Sequence, residues 1–324
     1  ILPAYMAESY IRAAITSILQ QQYAHFELLV ADDGSTDRTR EIIDSFSDPR
    51  IKVLHNVVNQ GKVRTVLRLL TMARGKYITV HDADDESLPE RFEKQVSFLE
   101  THPEMAMCGT HFNEIDEDGR LVRVYPPLLT EWAEIQRKMC VDKISQFHGP
   151  TLMIRRSAIE AVGGFYRPLL IVGEDVEFSI RICEKFPAVN LPDILYNYRL
   201  VSTSLTKSHE SFNPMRLAAD DLVEFLREER RLKGRDSYQI GRPDEAEAQY
   251  LRFVAKWESQ WDTIYRMGID RMVYFRFWES AFILNLRWIR KYPQTWMPYQ
   301  YLMHICTRVT IDAVRKVFRL QTPS

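Results

Sequence analysis

FELLVADDGSTD, residues 26–37, sets an apolar run directly against a polar turn. Phe26 to Ala31 has the length and composition of a short buried strand. Asp33-Gly34-Ser35 is turn chemistry, and Ser35 or Thr36 stands where it would cap a helix beginning near Asp37. Strand, turn and helix make the start of a βαβ unit, and the flanking sequence repeats the pattern. Ahead of it, Ile11, Ile15, Ile18 and Leu19 recur at helical spacing after Glu8. Behind it, IKVLH (51–55) reads as a strand, and Gly61 to Arg74 as a helix that Gly75 is placed to end. YITVH (77–81) is the next strand, Pro89 falls in the first turn of a helix running to about Glu100, and MAMCGT (105–110) is a further strand. This rhythm predicts an α/β fold with a mixed, mostly parallel sheet flanked by helices.

The second part of the chain reads differently. Leu121 to Lys143 is a proline-containing connection followed by a helix. HGPTLMIRRSAIEAVGGF (148–165) suggests a strand, a helix start and a double-glycine turn. In IVGEDVEFSIRICEKF, Val176, Ile180 and Cys183 keep helical spacing after a glycine, and NLPDILYNYRL is a strand ending near Arg199. From about Ser211 the signals are helical. No internal repeat or low-complexity tract interrupts the chain.

Composition bounds the function. The 324 residues are 45% hydrophobic with a net charge of -1, so the chain has a sizeable core and no nucleic-acid-type basic excess. The tail is less balanced: residues 263–324 carry ten Lys and Arg against Asp270, Glu279 and Asp312, a local +7. The four cysteines are scattered without metal-ligand spacing and read as buried thiols of a reducing compartment. No apolar run reaches the ~18 residues of a membrane-spanning helix. The chain is expected to carry no signal peptide, and, opening on ILPAY without Met, to lack a few native N-terminal residues.

Three acidic clusters carry the chemistry: Asp32-Asp33, Asp82-Ala83-Asp84-Asp85 and Glu174-Asp175. The first two follow apolar strands and the third opens a helix. In an open parallel sheet, ligands gather outside the carboxyl ends of strands, so the first two clusters are expected to meet in one crevice. Oxygen-only ligands suit Mg²⁺ or Mn²⁺, which take one or two carboxylates and leave the remaining positions to water and phosphate. Each cluster also has a plainer reading. Asp32-Asp33-Gly34-Ser35 serves equally as a turn and cap, and Glu174-Asp175 as a complement to a helix dipole. Three Asp in a D-x-D context after a buried strand exceed what capping requires.

With these pieces in order, residues 2 to about 207 resemble glycosyltransferase family 2, the inverting family with the GT-A fold. The resemblance runs through P-A-Y, S-I-L-Q-Q-Q-Y-A-H-F-E-L-L-V-A-D-D-G-S-T-D, N-Q-G, A-R-G-K-Y-I-T-V-H-D-A-D-D and L-P-E-R-F-E-K-Q. It closes with I-R-R-S-A-I-E-A-V-G-G-F, G-E-D-V-E-F-S-I-R and L-Y-N-Y-R. It implies that Asp33 reads the base of a nucleotide-sugar donor, with a uracil-type ring as the expectation, and that Pro3, Tyr5 and Glu8 border the nucleotide. Asp82 and Asp84 match the D-x-D element at ribose and diphosphate. Asp84 is the first choice as metal ligand and Asp85 the alternative. Asp175 matches the catalytic base, with Glu174 beside it. Helix-start placement is expected to keep Asp175 ionised and only modestly basic.

The chain departs from the family pattern at Met6, where asparagine is common, and along the helix after Gly61. There Lys62, Arg64 and Leu67 replace the usual small residues and asparagine. Lys62 is a candidate for donor phosphate, against the plainer reading of a solvated helix face. His148 and Arg199 are candidates on the acceptor side, although a lone histidine is more often structural.

The expected organisation is a catalytic domain over 1–207, with a nucleotide-sugar half to about 110 and an acceptor half beyond it, then a helical region over 208–324. That region mixes Phe275, Trp278, Phe282 and Trp288 with Arg276, Arg287 and Arg290. The pattern fits a helix packed on the protein, or one lying on anionic lipid as a peripheral contact with the cytoplasmic membrane face. The resemblance implies saccharide or lipid-linked acceptors. A nucleotidyltransferase of related fold would show a glycine-rich, lysine-bearing loop after the first strand, and PAYMAES is not one. A non-catalytic binding module would be expected to lack one acidic cluster.

Overall fold

The computed structural model describes residues 1–201, 213–274 and 278–320. The chain divides into two compact units, one of Ile1–Val201 with Arg227–Arg242, the other of Ser202–Leu226 with Pro243–Ser324.

The first unit begins with three parallel strands in the order β1 (Leu2–Ala4), β2 (Leu28–Asp32), β3 (Ile51–His55). Every residue of β2 is buried, as its unbroken apolar run demands. The connecting helices are α1 (Ile11–Leu19) and α2 (Thr39–Asp44), and α3 (Lys62–Met72) follows β3. α1 buries Ile11, Ala14, Ile15 and Ile18, a spacing of three and four that places them on one face.

The expected strand YITVH is divided in use. Tyr77–Ile78 (β4) pairs antiparallel in a second sheet. Residues 79–81 then run beside β1, with the Ile1 amine donating to Thr79 O and His81 N donating to Ile1 O, both at 2.9 Å. The segment leading into the D-x-D cluster is therefore the seam between the sheets.

The second sheet has the order β4-β8-β6-β9-β5, with β7 on β6. Its strands are β5 (Glu86–Ser87), β6 (Met107–Ile115), β7 (Leu121–Val124), β8 (Met153–Arg155) and β9 (Ala188–Arg199). β6 and β9 pair in parallel over their length, and the antiparallel pairs lie around them. Four helices accompany it: α4 (Arg91–Thr101), α5 (Trp132–Arg137), α6 (Arg156–Ala161) and α7 (Glu174–Cys183). The fold is thus mixed α/β with its antiparallel pairs confined to the second half.

Several local expectations fail for identifiable reasons. α2 begins at Thr39 rather than near Asp37, with Arg38 as an N-cap that makes no side-chain bond; Ser35 Oγ accepts from Met6 N at 3.0 Å instead, and Asp37 accepts from Thr39 N and Glu8 N. α3 stops at Met72 with Ala73 already extended, so Gly75 lies beyond the cap. Its need for glycine is close approach, since a β-carbon there would sit 2.9 Å from Tyr77 O. Pro89 precedes α4, whose N-cap is Glu90. β7 was not anticipated, and all four of its residues are exposed.

A single domain boundary near residue 207 lies outside the described residues, and the chain re-enters the first unit at Arg227. Charge explains the return. Arg230, on α8 (Pro214–Lys233), donates to Glu184 at 2.6 Å, Asp236 at 2.8 Å and Glu177 at 3.1 Å, and Arg167 pairs with Asp236 at 3.2 Å. Buried charges of this kind persist only when fully paired.

The second unit is helical: the first part of α8, then α9 (Pro243–Glu258), α10 (Trp261–Tyr274), α11 (Trp278–Lys291) and α12 (Met297–Leu320). Its core gathers Ile264, Tyr265, Ile269, Leu284 and Ile305 around a fully buried Trp288, whose indole donates to Asp262 at 2.6 Å. Of the expected basic-aromatic stripe, Phe275, Arg276 and the Trp278 side chain lie outside the described residues. Trp288 faces the core, while Phe282, Arg287 and Arg290 are exposed. Among the described residues no helix is long and apolar enough to cross a membrane. The cysteines form no disulfide; Cys108 and Cys183 are buried as expected, whereas Cys140 is half-buried and Cys306 exposed.

Candidate active site

Each acidic cluster sits where an element ends or begins. Asp33 follows β2 and is buried; its N–H donates to Ala4 O beside Pro3, which is buried in β1. Its carboxylate organises the loop after β3: Oδ1 accepts from Asn56 Nδ2 at 2.7 Å and Gln60 N at 2.9 Å, and Oδ2 from Gly61 N at 2.9 Å. Gly61 takes φ 85°, a conformation open to glycine, and α3 starts at the next residue. A cavity of about 310 Å³ opens beside this loop, lined by Asn56, Gln60, Arg64, Thr65 and Arg68 among others.

The β1–α1 segment is arranged for contact. Tyr5 is half exposed, and Met6 follows it at φ 50°. Asparagine tolerates that left-handed conformation better than methionine, a physical reason for the residue the family pattern favours there. Glu8 serves as a tie, accepting from Arg38 N at 3.0 Å.

Lys62 joins the other two clusters. Its ammonium lies 2.7 Å from Asp82 Oδ1 and 3.6 Å from Glu174 Oε1. The solvated-face reading of this residue is therefore corrected: the side chain points at carboxylates from both halves of the unit. Because Asp33 holds Gln60 and Gly61, all three clusters are tied together through the start of α3.

Within the D-x-D cluster the aspartates differ. Burial would raise Asp82, but Lys62 outweighs it and holds the carboxyl below its usual range. Asp84 is pushed up to about 6 by burial and by the charge of Asp82. Among the described residues its carboxylate forms no ion pair. A cation would relieve that repulsion, so the position suits a hard metal. Asp85 points inward and is fully buried, with Oδ2 accepting from Tyr196 OH at 2.9 Å and Oδ1 from Arg199 N at 2.8 Å. Burial, with Asp84 and Asp82 adding to it, raises its carboxyl well above the usual range. Its oxygens are committed to the scaffold, which corrects the alternative of Asp85 as metal ligand.

Arg199 is corrected in the same way. It is buried, donates to Asp84 O at 2.7 Å and to Asp116 O at 3.0 Å, and pairs with Glu86. Its guanidinium is committed to bracing the D-x-D turn. His148 is half-buried, stacked on Phe112 at 4.3 Å and set edge-on to Tyr198 at 4.8 Å.

Glu174 and Asp175 open α7 after Gly173, which takes φ 77°. Helix-start placement was expected to keep Asp175 strongly acidic. Instead burial dominates and raises it, although Lys62 and the Val176 N–H oppose the rise. Glu174 is pushed up to about 7 by burial and the neighbouring Asp175, against Lys62. Later in the helix the motif turns structural. Arg181 pairs with Glu177 at 2.9 Å and donates to Val162 O and Gly164 O, fixing the double-glycine turn.

Sequence reasoning passed over several supports. Tyr196 stands over the buried Arg91, whose guanidinium also donates to Ser87 Oγ, Thr79 Oγ1 and Pro150 O. Gly149 abuts Asp175. Only the Glu177–Arg181 pair had a signal, its spacing of four on a helix. Among the described residues no group of three or more His, Cys, Asp or Glu is arranged to hold a metal by itself.

A family model described as glycosyl transferase family 2 matches residues 1–163. EpsE of Bacillus subtilis (strain 168) is 34% identical over 206 residues, covering 61% of this chain and 71% of EpsE. WfaP of Escherichia coli, a UDP-Glc:alpha-D-GlcNAc-diphosphoundecaprenol beta-1,3-glucosyltransferase, is 28% identical over 215 residues, covering 65% of this chain and 80% of WfaP. Residues 1–349 of S. aureus TarS, solved with UDP-GlcNAc, superpose with a TM-score of 0.52 at 19% identity, over 78% of each chain. This chain spans 39% of the longer TarS structure.

Proposed function

The chain belongs to glycosyl transferase family 2, and we propose that it moves a sugar, with inversion, from a uridine-type nucleotide sugar to an acceptor hydroxyl. The setting is cell-surface polysaccharide or glycolipid synthesis. The observation that supports this reading is the Lys62 ammonium, which contacts both Asp82 and Glu174, one carboxylate from each of two acidic clusters. Support for the donor comes from TarS, solved with UDP-GlcNAc, and from the UDP-Glc in the name of WfaP. WfaP also names a lipid-linked acceptor.

In this reading Asp33, with Pro3, Tyr5 and Glu8 around it, receives the nucleotide. Asp82 and Asp84 face ribose and diphosphate, and Lys62 faces phosphate. Asp84 would hold a Mg²⁺ or Mn²⁺ ion, whose charge stabilises the departing nucleoside diphosphate. The acceptor oxygen attacks the anomeric carbon opposite the leaving group and passes its proton to Asp175. A raised carboxyl makes Asp175 a better base than an ordinary aspartate, provided it is ionised at the working pH. Glu174 sits beside it, and the Gly149 side of the base, next to His148, borders the acceptor.

The second unit is assigned to acceptor or membrane contact. The basic excess of residues 263–324 and the exposed Phe282, Leu286 and Trp296 suit a peripheral position on the cytoplasmic membrane face. Asp175→Asn tests the reaction: transfer is expected to vanish while the fold and UDP affinity persist. Full transfer by this variant would remove Asp175 from the mechanism.

A further inference from the structure

Lys62 brings a positive charge of the chain's own into the carboxylate centre. The backbone beneath it is pinned, since Asp33 accepts the N–H groups of Gln60 and Gly61. Its four-carbon stem is the adjustable part. The ammonium makes a close charge-assisted bond to Asp82 and a longer contact to Glu174, and Asp84 stands two residues from its main partner.

The geometry points to Lys62 as a tethered counter-ion that keeps a divalent cation out of the D-x-D cluster until a nucleoside diphosphate arrives. This rests on the donor reading given above and adds an order of events to it. An ammonium beside Asp82 satisfies that carboxylate, and a divalent ion entering next to it meets like-charge repulsion at close range. A diphosphate offers the ammonium a second anionic partner on the same stem. Once Lys62 turns to it, Asp82 and Asp84 are open to the ion, and Glu174 loses the cation that faced it. Metal and donor thus enter together, and the enzyme without donor is spared a loosely held ion. Lys62 is in this sense a positioning residue whose charge, rather than its shape, performs the function.

Mn²⁺ binding to the full chain, read by electron paramagnetic resonance with and without UDP, tests the inference. The wild type is expected to bind Mn²⁺ weakly alone and about tenfold or more tightly with UDP. Lys62→Gln is expected to bind Mn²⁺ without UDP about tenfold more tightly than the wild type does, because the competing charge is gone. Lys62→Arg keeps a cation and is expected to resemble the wild type. Equal affinity of Lys62→Gln and wild type without UDP overturns the inference, while a UDP-dependent gain in both leaves the donor reading standing. Absence of Mn²⁺ binding in every protein, with UDP present, overturns both. Should the glutamine variant fail to fold, the wild type decides: Mn²⁺ affinity that UDP leaves unchanged overturns the inference, and a strong UDP dependence supports it.

Discussion

The α-carbon of Gly149 packs directly against the carboxylate of Asp175: a β-carbon on Gly149 would lie 2.4 Å from Oδ2 and 2.8 Å from the aspartate's own Cβ. The glycine sits in a short turn between His148 and Thr151, closed by Thr151 Oγ1 donating to His148 O at 2.7 Å. Neither side can yield without moving the proposed base. Gly149→Ala is expected to lower transfer by roughly 10²-fold through misplacement of Asp175. The overpacking should cost about 1–3 kcal/mol of stability. Transfer rate and UDP affinity measured together check this, and an undiminished rate contradicts it.

Asp84 and Asp85 should separate cleanly. Asp85→Ala strips partners from Tyr196 OH and Arg199 N, both buried, at a cost of about 1–3 kcal/mol for each group. Asp84→Ala relieves repulsion and should leave the melting temperature unchanged or raised, while abolishing Mn²⁺-dependent UDP binding. Thermal denaturation of the two variants distinguishes them. A stable Asp85→Ala beside an unfolded Asp84→Ala would reverse the assignment.

Glu174 gives the free protein a pH dependence of definite sign. Its carboxyl lies at about 7 in the folded chain against 4.5 ordinarily, so the folded state holds a proton that the unfolded state releases. The contribution is fully present below the unfolded value and is lost as pH rises through about 7. The loss at this site is expected to reach at most about 3 kcal/mol. Urea denaturation at pH values below and above that window should show it, and Glu174→Gln should flatten the profile. Identical profiles for wild type and variant would contradict the assignment.

Arg230 fastens the returning segment of the first unit. Arg230→Met leaves Glu177 and Asp236 buried without that partner, and a cost of about 3–5 kcal/mol is expected. Limited proteolysis within residues 227–242 should accelerate in the variant. Cleavage at the wild-type rate would show that the segment is held by other means.

How far the sequence could be read follows from the range of each interaction. FELLVADDGSTD announces its strand and turn because burial and turn chemistry are local properties. The Glu177–Arg181 pair is legible for the same reason. Lys62 could be singled out as a candidate, but its partners could not, because only tertiary folding brings Asp82 and Glu174 to it. Asp84 and Asp85 were indistinguishable as letters, and the difference comes from Tyr196 and Arg199 at the end of β9. Asp175 illustrates two opposing effects: the helix start that favours its charge is visible in sequence, and the burial that outweighs it is not. The return at Arg227 stayed hidden because the helical pattern of α8 continues through it unbroken.

The central claim, that Asp82 and Asp84 receive a nucleoside diphosphate together with a cation beside an independent base at Asp175, is tested most directly by calorimetric titration of UDP in Mn²⁺. Wild type and Asp175→Asn are predicted to bind with similar affinity, and Asp84→Ala to show no Mn²⁺-dependent binding. Binding by Asp84→Ala equal to wild type, or no UDP binding by the wild type, would contradict it.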